Sequence, residues 1–426
     1  MTNADPPVWL IAGVRTPFAR VDGALRGNHA LALSVPVAQA MARQLAATDR
    51  ADLVVWGTVA PNLGWSNIAR ELVVQGGLNP ATPAFTTILA CSTSMVAVFE
   101  AAGMVGRGGL DLALCGGAES MSRVQIGLRQ GLSDFIRRMS QARSVGERID
   151  RLRELRWAEV GLHVPAVKNR ATGKSMGEHC EEMAKAWHIP RAEQDRLALA
   201  SHRNAVKAMG EGFFDDLVVP VGAVARDAIP RADSTPEKLA SLKPAFDRTS
   251  GEGTITAANA SPLTDGAAAI WVASDAALGR VPGERPRVRL VDREIAAVDI
   301  FHEGLLMAPA YAIPRLLARN GLTLDAIDLW EIHEAFAAQV LCNVAALESR
   351  DFLRDRARVD RDLGRFPWER LNPRGGSIAL GHPFGATGAR ILSQAVKELA
   401  AMGPGKRAVV SICADGGVGT VALLQS

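Results

Sequence analysis

The strongest constraint on how this chain folds is a recurring alternation. Short apolar runs rich in β-branched residues end at glycine-rich corners, and helical stretches lie between them. Residues 8–14, 53–59, 110–115, 269–273, 288–291, 327–332 and 408–412 read as strands. Residues 94–105, 311–319, 335–347 and 387–402 read as helices. Alternation of this kind predicts an α/β layered fold, and 426 residues exceed what one hydrophobic core normally supports. A topological echo runs through the chain. Cys91 stands at the start of a helix followed by a strand that reaches CGG at Cys115; His382 opens the helix near Thr387, and the next strand reaches CADGG at Cys413. Two similar halves facing each other would bring both corners into one cleft. The expected division is a first half over residues 1–120, an inserted loop domain over 121–246, completion of the first half over 247–275, and a second half over 276–426.

Charge excludes one class of function. Lys and Arg number 48 against 45 Asp and Glu, a formal +3, too balanced for nucleic-acid binding by bulk electrostatics. Five cysteines without CxxC spacing argue against a disulfide framework or a structural zinc site, and no metal is expected. The N-terminal stretch lacks a basic start followed by a long apolar run, so the expectation is a soluble, untargeted protein of the reducing cytoplasm. Within the insertion, residues 134–159 carry seven arginines interleaved with Phe135, Ile136, Leu152, Leu155 and Trp157. That pattern reads as a solvated helical face or as a dock for an acidic partner or a membrane surface. TGKS at Thr172–Ser175 is no phosphate loop, because Lys168 stands where GxxxxGKS needs its first glycine.

Four residues carry candidate chemistry. In ILACSTSMVAVFEAAG an apolar run stops at Cys91, followed by small hydroxyl residues and a helix. A thiol there meets a helix N-terminus and free N–H groups, which favour thiolate and can hold an oxyanion; taken alone, Cys91 reads more readily as an inert buried thiol. His382 lies among five glycines in NPRGGSIALGHPFGATGAR, where backbone can approach a ligand closely, and imidazole is a natural base for a thiol. Cys413, in a hairpin-like VVSICADGGVGTVALL, could move protons. His333, in LWEIHEAFAAQ, ends a strand where a helix starts, a place where catalytic groups of α/β proteins concentrate. For Cys413 and His333 the plain alternative is an ordinary strand end, and for His382 a structural histidine.

The segments CSTS, GGAESMS, NASPLTDGAAA, HEAFA, GGSIALGHPFGATGAR and CADGGVG occur in the order and spacing of thiolases, so the chain resembles that family along essentially its whole length. The resemblance implies the thiolase fold, two α/β halves in an αβαβα arrangement with an inserted loop domain. It implies that Cys91 attacks the 3-keto carbon of a 3-ketoacyl-CoA, His382 takes its proton, and Cys413 protonates the departing acetyl-CoA. One oxyanion site would be His382 with a water held at His333; the other would be the backbone N–H groups of Cys91 and Asp415. HEAF in place of NEAF resembles the thiolase subunits of fatty-acid β-oxidation multienzyme complexes.

The family commonly has glycine or alanine at Asp415, and a carboxylate there would oppose an oxyanion unless it points away. For coenzyme A, which enters as substrate, the resemblance implies contacts from Met176, Ser261, Ala335 and Phe336, with Arg231 on the adenine side. It further implies a homodimer or tetramer, with the arginine-rich insertion free to dock a hydratase-dehydrogenase subunit. Three functions fit these residues: a degradative 3-ketoacyl-CoA thiolase, a biosynthetic acetoacetyl-CoA thiolase, and a thiolase-like acyl-CoA-binding protein with weak or no catalysis.

Overall fold

The computed structural model describes residues 6–46, 49–60 and 62–426. Its strands are β1 (Val8–Ile11), β2 (Ala19–Arg20), β3 (Leu53–Gly57), β4 (Ala84–Thr86), β5 (Leu112–Glu119), β6 (Gly127–Leu128), β7 (Leu162–His163), β8 (Thr264–Ser274), β9 (Arg287–Ala297), β10 (Leu329–Ile332), β11 (Arg407–Ala414) and β12 (Val418–Gln425). The helices that matter for the site are α1 (Ala30–Ala42), α2 (Ile68–Gln75), α3 (Thr93–Gly106), α4 (Gln130–Gln141), α5 (Val145–Arg153), α6 (Met176–Ala186), α7 (Arg191–Gly210), α8 (Pro236–Ala240), α9 (Ala308–Arg319), α10 (Ala337–Leu347), α11 (Ser377–Leu380) and α12 (Thr387–Ala401).

The main sheet runs β10-β11-β12-β9-β1-β8-β5-β3-β4, with β2 paired to β8. Its two wings repeat one pattern about the β1–β9 seam. On one side β3 is parallel to β5, β5 antiparallel to β8, and β8 antiparallel to β1. On the other, β10 is parallel to β11, β11 antiparallel to β12, and β12 antiparallel to β9. β5 thus corresponds to β11, and α3 before β5 corresponds to α12 before β11. The echo read from the Cys91 and His382 corners is this symmetry.

Alternation along the strands separates the layers. On β3, Val54 and Trp56 pack outward under α1 and α2 with Leu31, Val37 and Leu72, while Leu53 and Val55 face inward. On β11, Val409 and Cys413 pack with Ile313, Leu317, Val340 and Val344 of α9 and α10, while Val410 and Ile412 face the other way. Both inward faces close on α3 and α12 in one cluster that includes Met95, Val98, Ile391 and Val396. Strands buried on both faces become near-continuous apolar runs, and a helix in a central layer is buried nearly all round. α12 buries twelve of its fifteen residues.

Between β5 and β8 the chain leaves the sheet through α4 to α8. Most of residues 127–167 stand clear of the cores: Trp157 is 80% exposed and Val145 73%, and Ile149, Leu152 and Leu162 are also exposed. The charged stretch after α10 is anchored more deeply than its sequence suggests, with Phe352, Leu353, Leu363 and Phe366 in the core beside α9 and α10.

Candidate active site

α3 and α12 meet at their N-termini, and that contact assembles the site. Ala389 N–H donates to Ser94 Oγ at 2.9 Å. At Gly388 a Cβ would lie 2.4 Å from Met95 N, so only glycine lets the two helices approach this closely. Cys91 sits just before α3, on a 3₁₀ turn over Ala90–Ser92, and Ala90 is held at φ +43°. A non-glycine residue in that region stores about 1–2 kcal/mol of strain, which the surrounding contacts hold in place. Leu89 N–H donates to Thr93 Oγ1 at 2.9 Å, and Thr93 Oγ1 donates to Ala90 O at 2.8 Å.

His382 lies between α11 and α12. Its N–H donates to Thr264 Oγ1 at 3.0 Å, and Thr387 Oγ1 is 2.6 Å from its Nδ1. His333 follows β10, its N–H bonded to Ser411 O of β11 and its Nδ1 2.8 Å from Ser377 Oγ. The two rings lie 4.1 Å apart between centroids. Cys91 Sγ and one nitrogen of each histidine all lie within 4.8 Å of one another. Both Nδ1 atoms are engaged, whereas both Nε2 atoms are buried without a partner among the described residues. In a buried cleft such orphaned polar atoms mark where a ligand atom belongs.

The electrostatics correct one sequence expectation. Despite the helix N-terminus, burial dominates and pushes the Cys91 thiol up to about 12; the backbone N–H groups of Asp415 and Cys91 pull it down, and the Asp415 and Glu119 charges raise it. Burial, with Arg390 nearby, lowers His382 to about 3, and burial holds His333 well below the usual imidazole range. The resting pair is therefore a neutral thiol and a neutral imidazole rather than a thiolate and imidazolium. Cys413 is buried near the end of β11, its thiol pushed well above the ordinary range by burial and then by Cys91 beside it. A cysteine and two histidines are also a possible zinc donor set among the described residues.

Both N–H groups expected to form an oxyanion site, those of Cys91 and Asp415, act on the Cys91 thiol. The Asp415 carboxylate is tied back rather than free: Oδ1 accepts from Asn169 Nδ2 at 2.8 Å and from Gly416 N at 2.7 Å. Its charge still reaches Cys91. The TGKS stretch is thereby explained, since Asn169 Oδ1 caps the N–H groups of Ala171 and Thr172, making a turn whose Asn braces the loop after Cys413.

Of the expected coenzyme A contacts, four gather on one wall. Ser261 N and Oγ both donate to Ala335 O, at 2.9 and 3.0 Å. Phe336 stacks edge-on against Phe246, and Met176 at the start of α6 packs against the same cluster. Arg231 lies elsewhere, exposed beside His202 and Arg20. Arg20 pairs with Thr264, the residue that holds His382.

Several supporting residues were not singled out in the sequence. Glu119, buried at the end of β5, accepts from Thr58 Oγ1, Val59 N, Ala60 N and Gly385 N, tying the His382 loop to β3. Glu334 accepts from Ser201 Oγ, Asn372 Nδ2 and Ile378 N, fixing the backbone ahead of α11. Arg390 is buried and donates to Ser377 Oγ at 2.7 Å. A buried carboxylate facing several N–H groups is the signal that motif reading passed over at GGAES and HEAF.

Two fused α/β wings with a cysteine and two imidazoles at their shared helix contact define an enzyme built for nucleophilic chemistry at sulfur. The family comparison agrees. The thiolase N-terminal domain matches residues 8–276 and the thiolase C-terminal domain residues 284–426. A 3-ketoacyl-CoA thiolase of Yersinia enterocolitica is 36% identical, the alignment spanning 100% of this chain and 98% of the relative, and its counterpart in Yersinia pestis gives the same figures. Among solved structures, an acetyl-CoA acetyltransferase of Bacillus anthracis superposes with a TM-score of 0.81 at 30% identity, covering 100% of both chains. A thiolase of Ascaris suum in complex with coenzyme A gives 0.79 at 30%, covering 99% of this chain and 100% of that one. The chain belongs to the thiolase family and is an acyltransferase acting on CoA thioesters.

Proposed function

We propose that this enzyme cleaves 3-ketoacyl-CoA to acetyl-CoA and a shortened acyl-CoA, using free coenzyme A. The observation that carries the reading is the convergence of Cys91 Sγ with one ring nitrogen from each of His333 and His382, whose Nε2 atoms are buried with no partner among the described residues, with Cys413 alongside. Cys91 attacks the 3-keto carbon as His382 removes its proton; because both groups are neutral at rest, proton transfer and attack occur together. The C2–C3 bond then breaks, leaving an acyl-Cys91 thioester and an enolate of acetyl-CoA. Cys413 protonates that enolate at carbon, and His382 with His333 supports its oxygen. Coenzyme A attacks the acyl-Cys91 carbonyl, whose oxygen faces the N–H groups of Cys91 and Asp415. The CoA thiol proton passes to the Cys413 thiolate as CoA attacks, the expelled Cys91 takes back the proton held on His382, and every group returns to its starting state.

Ser261, Ala335, Phe336 and Met176 receive the pantetheine and acyl chain, and the Arg231–Arg20 patch receives the nucleotide. We place the enzyme in the cytoplasm as a homodimer or tetramer. The exposed apolar and arginine-rich hairpin of α4 and α5 serves as the dock for a hydratase-dehydrogenase subunit or an acidic membrane surface.

The test is CoA-dependent loss of 3-ketoacyl-CoA absorbance, with intact mass after incubation with acetyl-CoA showing one acetyl group on the parent enzyme and none on Cys91→Ala. No thiolysis at any chain length would overturn the reading. A profile peaking only at four carbons would move it to acetoacetyl-CoA synthesis. One observation favours slow turnover, the Asp415 charge acting on Cys91; acylation without thiolysis would support that reading.

A further inference from the structure

The two histidines of the site face hydroxyl groups whose own partners differ, and the difference assigns their protons. Thr387 Oγ1 lies 2.9 Å from Pro383 O, one turn back, and 2.6 Å from His382 Nδ1. A carbonyl oxygen can only accept, so the Thr387 proton goes to Pro383 O and the hydroxyl oxygen accepts from His382 Nδ1–H. With Nδ1 protonated, Nε2 of a neutral His382 carries a bare lone pair. At His333 the polarity reverses. Ser377 Oγ already accepts from Arg390 Nη2 at 2.7 Å, and a guanidinium can only donate. The single proton of Ser377 then has one acceptor among the described residues, His333 Nδ1 at 2.8 Å. If His333 Nδ1–H donated instead, the Ser377 hydroxyl proton would be buried with nothing to receive it. His333 therefore carries its proton on Nε2, aimed at the cleft.

We propose that Ser377, oriented by Arg390, is a positioning residue that fixes His333 as an Nε2–H donor, while Thr387 fixes His382 as an Nε2 acceptor, so that two adjacent imidazoles perform opposite tasks. His382 accepts the Cys91 proton and His333 donates to the developing enolate oxygen. Arg390 is suited to this role by its burial between the His333 side and the acidic Glu331 and Glu334, whose charges act on it. The same assignment disfavours zinc at the cysteine and two histidines, since a metal would need the lone pair that His333 Nε2 does not offer.

This inference rests on the thiolase reading for the tasks but not for the proton positions, and the tests separate the two. Two-bond hydrogen–nitrogen NMR on the full-length enzyme with isotope-labelled histidine resolves the tautomers, with His333→Gln and His382→Asn assigning two of the eight histidines. The expected result is Nε2–H for His333 and Nδ1–H for His382; one shared tautomer, or the reverse pair, overturns the proposal whatever the enzyme catalyses. Ser377→Ala is then expected to leave His333 mixed in tautomer and to lower kcat for carbon–carbon cleavage about tenfold, short of the full loss of an oxyanion donor. Transfer of an acetyl group between CoA molecules through Cys91, which uses the Cys91 and Asp415 N–H groups, stays within about twofold of the parent on that account. Ser377→Thr, which keeps a hydroxyl, restores cleavage. An equal loss in both reactions, or a Ser377→Ala spectrum still showing only Nε2–H, overturns the positioning role. Failure of the parent enzyme to acylate Cys91 would overturn the thiolase reading and leave the tautomer result standing.

Discussion

Gly388→Ala separates packing from chemistry. Alanine favours an α-helix over glycine by about 1 kcal/mol, so propensity alone predicts a gain in stability. The new Cβ, however, would stand 2.4 Å from Met95 N and 2.9 Å from Met95 Cβ, where ordinary contact begins at 3.4 Å. Relief requires α12 to move about 1 Å from α3, and overpacking of this kind costs about 1–3 kcal/mol. Set against the propensity gain, the net loss is about 0–2 kcal/mol, which leaves the protein folded and lowers Tm by a few degrees at most. Catalysis should suffer far more. Cys91 precedes α3 and His382 precedes α12, so the shift opens the distance across which the proton moves, and a misplacement of about 1 Å costs about a hundredfold in rate. Thermal unfolding and steady-state thiolysis on the same preparation read the two effects, with Gly210→Ala as control because a Cβ there meets nothing within 4 Å. A kcat within about threefold of the parent would show that the α3–α12 contact does not set the Cys91–His382 geometry.

Other consequences follow from the charges and the surface. With Cys91 near 12 and His382 near 3, neither titrates at neutral pH, so acetylation of Cys91 by acetyl-CoA should vary less than about twofold between about pH 5.5 and 8.5; a sigmoid centred near the ordinary imidazole value would reveal an ion pair instead. Stability responds to the same depressed pKa. As pH falls the unfolded chain takes up the His382 proton first, so the contribution is complete above the ordinary imidazole value and is lost as pH drops toward about 3; the urea midpoint should fall between about pH 7 and 5, and fall less in His382→Asn. Asp415→Asn keeps an acceptor for Asn169 while removing the charge that raises Cys91, so alkylation of Cys91 at mildly alkaline pH should speed up about threefold or more; an unchanged or slower rate would show the carboxylate to be harmless. Replacing Val145, Leu152 and Trp157 together with serine should leave thiolysis within about twofold, since all three are exposed and outside the packed cores, while weakening attachment to acidic vesicles; equal attachment by both proteins counts against that surface.

Strands buried on both faces were the most legible part of the fold, because Leu53–Gly57 in β3 is an unbroken apolar run and Ala408–Ala414 in β11 is interrupted only by Ser411. β9 was foreseen only over 288–291, yet it spans Arg287–Ala297, because alternate residues such as Arg287 and Arg289 are exposed and interrupt the run. β8 was foreseen only over 269–273 because its first half, from Thr264, is built of Gly, Ala and Asp; small side chains are what the close approach of Phe18 and Pro383 at Gly266 requires. Neither deficiency is visible to a rule that scores apolar or β-branched content.

The site divides along the same line. Cys91, His333, His382 and Cys413 were legible because each ends a strand or opens a helix; His382 and Cys413 also lie in glycine-dense segments, and glycine records backbone proximity in the sequence itself. Ser377, Arg390, Glu119 and Glu334 were not, because each acts through a partner brought near only by folding: Arg390 stands thirteen residues from Ser377, and Ser377 forty-four from His333. The expectation of a thiolate at Cys91 went wrong for a related reason. A helix N-terminus is a local feature, worth about 0.3–1 kcal/mol at an exposed site, whereas desolvation is set by everything packed around the sulfur and moves a thiol much further. Local sequence can therefore name residues that the fold brings together, but their protonation states belong to the fold. On the proposed mechanism that places the burden of activation on His382 as a base acting during attack, and makes the hydroxyl that orients each imidazole as consequential as the imidazole itself.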